Sequence, residues 1–230
     1  MTAAQTSPPP NFDPLKVPVI GVDSHLPKVP AQALQAQALV ERFANAPAWT
    51  PELLAEPRFS LREPVLASVL VPLVMRASGL NVLLTERTIH LSSHSGQVAF
   101  PGGKADPDDA NTIDTALREA EEEIGLERRF VQVLGTLPIY TTGSAFLVTP
   151  VIALVNATHT LVANPNEVAD IFEVPLSFLM DPANHRHHAV EWAGARREWL
   201  SMPYQDGAVE RFIWGATAGM LRNLYGFLRS

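Results

Sequence analysis

The sequence predicts an α/β layered domain, and two observations lead to that fold class. Strand-like apolar runs are interleaved with one strong central helix and one terminal helix, which is the order of elements expected when helices cover a sheet. The 230 residues are 47% hydrophobic and 18% charged, which is globular usage in a chain long enough to bury a substantial core. The chain carries no internal repeat of fixed period.

The first 30 residues contain too many prolines for a regular element, and we expect them to form a loose or draped arm. Residues 31–230 are then expected to form a single domain. Leu34, Leu39 and Phe43 recur at helical spacing, and Pro30 suits a first turn. A helix over residues 31–46 is therefore predicted to pack on the flank of the domain.

The body of the domain contains five predicted strands and two predicted helices. The strands are predicted over residues 65–74, 81–85, 130–138, 147–155 and 168–174, with short pieces near Val190 and Trp199. A helix over residues 112–123 ends before Gly125, which stands where a left-handed residue is favoured. The last helix is predicted over roughly residues 209–228, where Trp214, Ala218, Leu221, Tyr225 and Leu228 share one stripe.

Charge and composition exclude several classes of function. The formal net charge of −7 argues against broad binding to DNA or RNA, which draws on clustered Lys and Arg. The absence of cysteine excludes disulfides, thiolate metal sites and thiol nucleophiles. No signal peptide and no membrane span are recognisable, so we expect a cytoplasmic protein without a membrane partner. A homodimer is left open by the sequence.

The central helix carries four carboxylates within five residues. At about 100° per residue, Glu119, Glu122 and Glu123 fall on a single side, here called the glutamate ridge, while Glu121 points away. Like charges so close, near the C-terminal end of a helix, oppose stability. Hard oxygen ligands without His or Cys suit Mg²⁺ or Mn²⁺, so the ridge is a candidate metal site, and a solvated acidic face is the alternative that the ridge alone leaves open.

A glycine-rich loop precedes this helix. Gly102 and Gly103 allow a close backbone approach, so that a carbonyl can face the same metal or a phosphate. The loop is not a P-loop, because Lys104 is followed by Ala105 rather than by Ser or Thr. On its own, the pair of glycines is equally compatible with a plain turn.

Together, Gly103 and residues 118–126 resemble the box of the Nudix hydrolases, G-x5-E-x7-R-E-U-x-E-E-x-G-U, where U is a bulky aliphatic residue. Two features depart from that pattern. Ala120 is small for a U position, and counting back from Arg118 places the first acid of the box on Ala110. One extra residue restores both ends of the motif, with Asp109 as the acid.

A second resemblance lies immediately upstream. Residues 83–103 are similar to the L-L-T-x-R…H-x-G-x-x-x-F-P-G-G signature of the coenzyme A pyrophosphatase branch of that family. Pro150, residues 167–176 and residues 213–217 also resemble that branch. The resemblance extends over roughly residues 61–228, and the proline-rich arm lies outside it.

The resemblance implies a Nudix-type α-β-α sandwich with a mixed sheet and a metal-dependent hydrolysis of a nucleoside diphosphate. It makes Glu119 and Glu123 the expected primary ligands of Mg²⁺ or Mn²⁺, with Glu122 as a further ligand or as the base. Arg118 is expected to orient the box glutamates, although a solvated surface arginine is the alternative. Glu167 is a second candidate for the base.

The implied substrate is coenzyme A or an acyl-CoA, cleaved to adenosine 3′,5′-bisphosphate and 4′-phosphopantetheine. Candidate contacts to substrate are Arg87, His94, Gly102, Gly103 and Lys104. ADP-ribose or an oxidised nucleotide is the alternative substrate, and a non-catalytic nucleotide-binding regulator is the alternative class. The histidines in residues 185–188 are expected to lie in a solvated loop and receive no role.

Overall fold

The computed structural model describes residues 12–56, 60, 62–88, 96–192 and 195–230. The strands of this part of the chain are β1 (Val19–Val22), β2 (Val65–Arg76), β3 (Gly79–Arg87), β4 (Val98–Ala99), β5 (Gly102–Lys104), β6 (Val131–Thr136), β7 (Tyr140–Thr141), β8 (Phe146–Val155), β9 (Val168–Pro175), β10 (Arg186–Trp192), β11 (Ala195–Asp206) and β12 (Val209–Trp214). The α-helices are α1 (Ala36–Ala44), α2 (Thr112–Ile124), α3 (Leu176–Leu179) and α4 (Gly215–Arg229).

The strands form two sheets. The main sheet has the order β4-β3-β2-β8-β6, with β5 paired to β2, β7 to β8 and β9 to β3, and the smaller sheet has the order β1-β10-β11-β12. Strands β2 and β8 run parallel, whereas the other pairs of the main sheet are antiparallel. The predicted α/β class with a mixed sheet is confirmed.

Helices cover both faces of the main sheet. On one face, α2 packs against apolar residues of β2, β3 and β8. On the other face, a larger core contains residues of α1, α3, α4 and the smaller sheet. Within the described residues, no helix is long and apolar enough to cross a membrane.

Strand β2 is central and nevertheless contains Pro72, which cannot donate to a strand partner. Along one edge of β2, the partner changes from β5, opposite residues 67–69, to β3, opposite residues 73–76. The N–H of Leu70 points to that edge, because it donates to Pro101 O at 2.9 Å. Pro72 follows two residues later, so its nitrogen faces the gap between the two partners and no ladder hydrogen bond is lost.

Helix α2 follows from local signals, as predicted. The side chain of Asn111 accepts from the N–H groups of Ile113 and Asp114, and Gly125 ends the helix with a left-handed φ of 66°. Ala116, Ala120 and Ile124 recur every four residues and are fully buried against the sheet. The opposite side of the helix is left for its polar residues.

The prediction for the C-terminal helix is wrong in its first turn and a half. Residues 209–214 form β12, which pairs in continuous register with β11, and α4 begins only at Gly215. The sequence V-E-R-F-I-W is rich in β-branched and aromatic residues, which favours a strand once a partner is available. Ala218, Leu221, Tyr225 and Leu228 are buried as the predicted stripe requires, but Trp214 belongs to the strand.

The N-terminal segment is more ordered than predicted. Val19–Val22 form β1, an edge strand on β10, so the expectation of no regular element in the first 30 residues is wrong there. The flanking helix also differs: a 3-10 turn covers Ala31–Leu34, and extended Gln35 separates it from α1. Leu39 of α1 is fully buried, which agrees with a helix packed on the flank.

The histidines of residues 185–188 do not lie in a solvated loop. His185 and His188 are buried, at 0% and 3% exposure. The guanidinium of Arg222 donates to Nδ1 of His185, so the proton lies on Nε2, which donates to Leu179 O at 2.8 Å. Burial lowers the pKa of His185. The contacts of His185 connect the residue just before β10 to α3 and α4.

Candidate metal and diphosphate site

The glutamate ridge faces the short strand β5. Gly103 pairs with Ser68 of β2 and lies directly under Glu119, because a Cβ added to Gly103 would come 2.5 Å from that carboxylate. A Cβ at Gly102 would likewise come 2.6 Å from the backbone of Val69. Gly103 therefore allows the ridge carboxylates of α2 to approach β5 closely, and Gly102 allows β5 to lie close against β2.

Glu123 is the most deeply buried member of the ridge. Its side chain is 4% exposed, its Oε2 accepts from the N–H of Gly102 at 3.1 Å, and its Oε1 lies 3.6 Å from Nη1 of Arg87. Burial raises the pKa of Glu123 to about 7, with Glu167 and Glu119 adding repulsion that Gly102 and Arg87 only partly offset. The contacts of Glu123 with Gly102 and Arg87 therefore do not fully compensate the negative charge of its carboxylate.

Arg118 joins the loop before α2 to the ridge. It donates Nε and Nη2 to the two oxygens of Asp109, at 2.8 and 2.9 Å, and Nη1 to Glu119 and Glu122, at 3.0 and 2.9 Å. The same guanidinium donates to Lys104 O at 3.1 Å. The bidentate pair with Arg118 holds the pKa of the Asp109 carboxyl well below its usual range. Asp109, not Ala110, thus occupies the place that an extra residue in the box predicts.

The three ridge carboxylates do not meet at one point in this arrangement. Burial raises the pKa of Glu119, whereas Glu122 is 58% exposed and turns toward Arg118. Among the described residues, no three His, Asp or Glu side chains already stand as a ready set of metal ligands. A shared ion would need Glu122, or another acid, to turn inward.

Glu167 supplies a further negative charge near the ridge. Its repulsion contributes to the raised pKa of both Glu119 and Glu123, so its charge lies close enough to act on both. Asn164 fixes the loop that carries it, because the amide Nδ2 donates to Glu167 at 3.2 Å and the backbone N–H donates to Glu123 O at 2.8 Å. The loop before β9 is thereby tied to the end of α2.

The donor set fits a hard divalent cation. Glu119, Glu123 and Glu167 bring three carboxylates close enough for their charges to interact. The pKa of Glu119 and that of Glu123 are raised by burial and by repulsion from neighbouring carboxylates. A divalent ion would relieve that repulsion with the oxygen ligands it prefers. Arg118, by contrast, already donates to five oxygen atoms of four residues, and its role is to hold the ridge in position.

Of the predicted substrate contacts, the structure brings Arg87, Gly102 and Gly103 to the ridge. The side chain of Lys104 is exposed, and only its carbonyl contacts Arg118. His94 lies outside the described residues. All five remain predictions as contacts to substrate.

Sequence reasoning missed an arginine behind the site. Arg211 of β12 is 9% exposed and lies against three acids of other strands: Glu86 at 2.9 Å, Asp170 at 2.5 Å and Asp206 at 3.2 Å. Its guanidinium also covers the ring of Phe172 at 4.3 Å. Glu86 and Asp170 are far from Arg211 in sequence, so no local pattern pairs them. This cluster fastens the smaller sheet to β3 and β9 next to Arg87.

Comparison with known proteins finds relatives that are similar over most of their length. The uncharacterised Nudix hydrolase NudL of Yersinia pestis (strain Pestoides F) is 43% identical over 159 residues, which cover 69% of this chain and 77% of that protein. NudL of Yersinia pseudotuberculosis serotype O:1b matches equally well.

Solved structures with a similar fold include an Ap4A hydrolase binary complex from C. elegans and the Nudix hydrolase RenU from M. smegmatis. The first is 21% identical with a TM-score of 0.42 and covers 52% of this chain and 85% of that one. The second is 24% identical with a TM-score of 0.43 and covers 56% and 78%. The family model described as the NUDIX domain matches residues 65–199, from the start of β2 into β11. With more than half of its length matched and the box residues gathered around Arg118, the chain belongs to the Nudix hydrolase family and acts on a nucleoside diphosphate derivative.

Proposed function

We propose that this Nudix hydrolase cleaves the diphosphate linkage of coenzyme A and its acyl thioesters, with Mg²⁺ or Mn²⁺. The products are adenosine 3′,5′-bisphosphate and 4′-phosphopantetheine. The observation that carries the proposal is the contact between Arg87 and Glu123, at 3.6 Å. Arg87 belongs to the segment that resembles the coenzyme A pyrophosphatase signature, and Glu123 belongs to the ridge.

The described ends of that segment lie at the ridge. Strand β3 ends at Arg87, and the chain returns through β4, which pairs with Thr85 and Glu86. It then enters β5, where Gly102 binds Glu123 and Gly103 lies under Glu119. Both described parts of this segment therefore contact glutamates that we expect to bind the metal. This position supports a role of the segment in selecting the substrate.

The residues present suit hydrolysis of a diphosphate. When bound, a divalent ion neutralises the phosphate oxygens, orients a water molecule and lowers its pKa. Arg87 can pair with a phosphate oxygen, because its side chain is 26% exposed beside the ridge and its Nε has no hydrogen-bond partner among the described residues. The oxygen of water attacks one phosphorus, the bond to the bridging oxygen breaks, and Glu122 or Glu167 accepts the proton of the water.

The test is a substrate panel with the full chain and saturating Mg²⁺ or Mn²⁺. Coenzyme A, acetyl-CoA, ADP-ribose and 8-oxo-dGTP are compared by kcat/KM, and the products are separated by chromatography. We expect coenzyme A to be split at the diphosphate with the highest kcat/KM, because discrimination requires groups that only the right substrate satisfies. Faster turnover of ADP-ribose than of coenzyme A would refute the proposed specificity and leave the family assignment intact.

A further inference from the structure

A groove of about 360 Å³ runs along the outer side of β9. It is lined by Leu83 of β3, by Leu161 and Ala163 of the preceding loop, and by Ala169, Ile171 and Glu173 of β9. We call it the β9 groove. Leu83, Leu161, Ala163 and Ile171 belong to or pack against the core under α2, so the groove opens on the face of the sheet that carries α2.

The β9 groove and the glutamate ridge lie along one strand. Side chains of a strand alternate between its two faces, so Leu83 and Arg87 point to the same side. Arg87 contacts Glu123 there, and Leu83 lies four residues away in the floor of the groove. At about 3.3 Å per residue, Leu83 lies roughly 13 Å along β3 from Arg87, the residue that contacts the ridge. A ligand whose diphosphate lies at the ridge can therefore extend into the groove.

The groove is bordered by an edge of β9 that no described strand covers. Among the described strands, β9 pairs only with β3. The N–H of Ile171 points away from β3, because it donates to Oδ1 of its neighbour Asp170 at 2.9 Å. In an antiparallel pair, alternate residues direct N–H and C=O to the same side, so Glu173 presents its backbone groups outward as well. Such an edge accepts an extended ligand with amide groups.

The acids at the groove are already neutralised. Glu173 accepts from Arg76 at 3.1 and 2.5 Å and from Asn81 at 3.0 Å. Asp170 pairs with Arg211 at 2.5 Å. With its floor apolar and both of its carboxylates paired, the groove suits an uncharged ligand and disfavours a phosphate.

We propose that the β9 groove binds the uncharged, amide-containing pantetheine arm of coenzyme A in an extended, strand-like conformation, while the diphosphate lies at the glutamate ridge. This inference rests on the proposed function. The two amides of the arm can exchange hydrogen bonds with the outward carbonyl of Ile171 and with the outward backbone groups of Glu173. The methylene groups between them cover Leu161 and Ile171. The phosphorylated adenosine half of the substrate would bring additional negative charge to a place where Arg76 and Arg211 are already paired with Glu173 and Asp170.

The test fills the groove without touching the ridge. Ala163→Phe and Ala169→Phe each place a ring in the groove, and Val162→Phe adds the same ring beside it, at a residue that is 74% exposed. Circular dichroism and thermal unfolding identify the variants that fold. For coenzyme A, we expect kcat/KM to fall about tenfold or more in either groove variant, mainly through KM, and to change less than about twofold in Val162→Phe.

A second readout does not depend on catalysis. Pantetheine alone, without a metal ion, is titrated into each protein and followed by saturation-transfer NMR. We expect binding to the wild type and to Val162→Phe, and loss of binding in the groove variants. If the wild type cleaves coenzyme A and both groove variants keep its kcat/KM, the groove assignment is overturned and the proposed function stands. If coenzyme A is not cleaved, the proposed function fails. In that case, pantetheine binding that is present in the wild type and lost in Ala163→Phe would still support the groove as a pantetheine site. If the wild type does not bind pantetheine either, the groove assignment is overturned too.

Discussion

Replacing Asp109 with Asn should lower the stability of the protein at neutral pH. The side chain of Asp109 is 5% exposed and accepts from Nε and Nη2 of Arg118 at 2.8 and 2.9 Å. It also accepts from the N–H of Asp106 at 2.9 Å. An Asn side chain has one oxygen and would turn its NH₂ group toward a guanidinium that can only donate. One donor of Arg118 would therefore lose its partner.

The magnitude follows from what is buried. A hydrogen bond to a charged group contributes about 1.5 to 3 kcal/mol, and an exposed helical pair contributes only about 0.3 to 0.5 kcal/mol. The bond of Arg118 to Glu122 belongs to the weaker class, because that glutamate is 58% exposed. We therefore expect Asp109→Asn to lower the free energy of unfolding by about 2 kcal/mol. For a chain of this size, that corresponds to a fall in Tm of roughly 4 to 8 °C.

The assay is urea unfolding of the wild type and the variant at several values of pH between 7 and 3. The pKa of Asp109 is lowered in the folded protein, so its contribution is fully present above the unfolded value and is lost as pH falls through the folded value. The difference between the two proteins should be constant from pH 7 to about 5 and shrink below about pH 4. Asp108→Asn makes the same change at an exposed neighbour and serves as the control.

Two results would refute this reasoning. Equal loss of stability in Asp108→Asn and Asp109→Asn would mean that the negative charge of the loop stabilises the fold and that the ion pair between Asp109 and Arg118 does not. A difference that stays constant down to pH 3 would mean that the carboxylate of Asp109 is not the group whose protonation is linked to folding.

Two further predictions concern the ridge. Glu123→Gln should retain the fold and lose most metal-dependent turnover, because it removes a buried charge from the expected ligand set while an amide oxygen can still accept from Gly102. Glu121→Gln, the matched change on the same helix, should be nearly silent, and equal losses of kcat in the two variants would show that Glu123 has no special role. Gly103→Ala should reduce kcat/KM by about tenfold or more with little change in folding, because its Cβ would come 2.5 Å from the Glu119 carboxylate. Unchanged kinetics would show that Glu119 can move without consequence.

The parts of the structure that the sequence predicts well are those determined by nearby residues. Helix α2 has its cap at Asn111, its end at Gly125 and its buried stripe within a single stretch of chain. The ridge glutamates lie in that same stretch, so their common side could be worked out from helical geometry alone. Asp109 could be found as well, since the arginine it holds stands at the start of the same motif.

The parts that the sequence predicts poorly depend on distant partners. Residues 209–214 form a strand because β11 lies beside them, and Val19–Val22 form a strand because β10 does. Glu122 was expected to point inward with the other ridge residues, but Arg118 competes for it from one turn earlier. Helical phase gives the direction of a Cα–Cβ bond, whereas the position of a carboxylate four atoms further out depends on which cation it meets.

Strand β3 shows how such distant contacts act on the site. Glu86 and Arg87 are consecutive, so their side chains leave the strand on opposite faces. Glu86 is held by Arg211 of the smaller sheet at 2.9 Å, and Arg87 lies 3.6 Å from Glu123 of α2. The smaller sheet and the ridge thus contact β3 at neighbouring residues, on opposite faces of the strand. Since Arg211 also holds Asp170 of β9, a shift of the smaller sheet would move Arg87 and the edge of the β9 groove together. The segment that resembles a substrate signature is therefore held in place by residues that lie outside the signature.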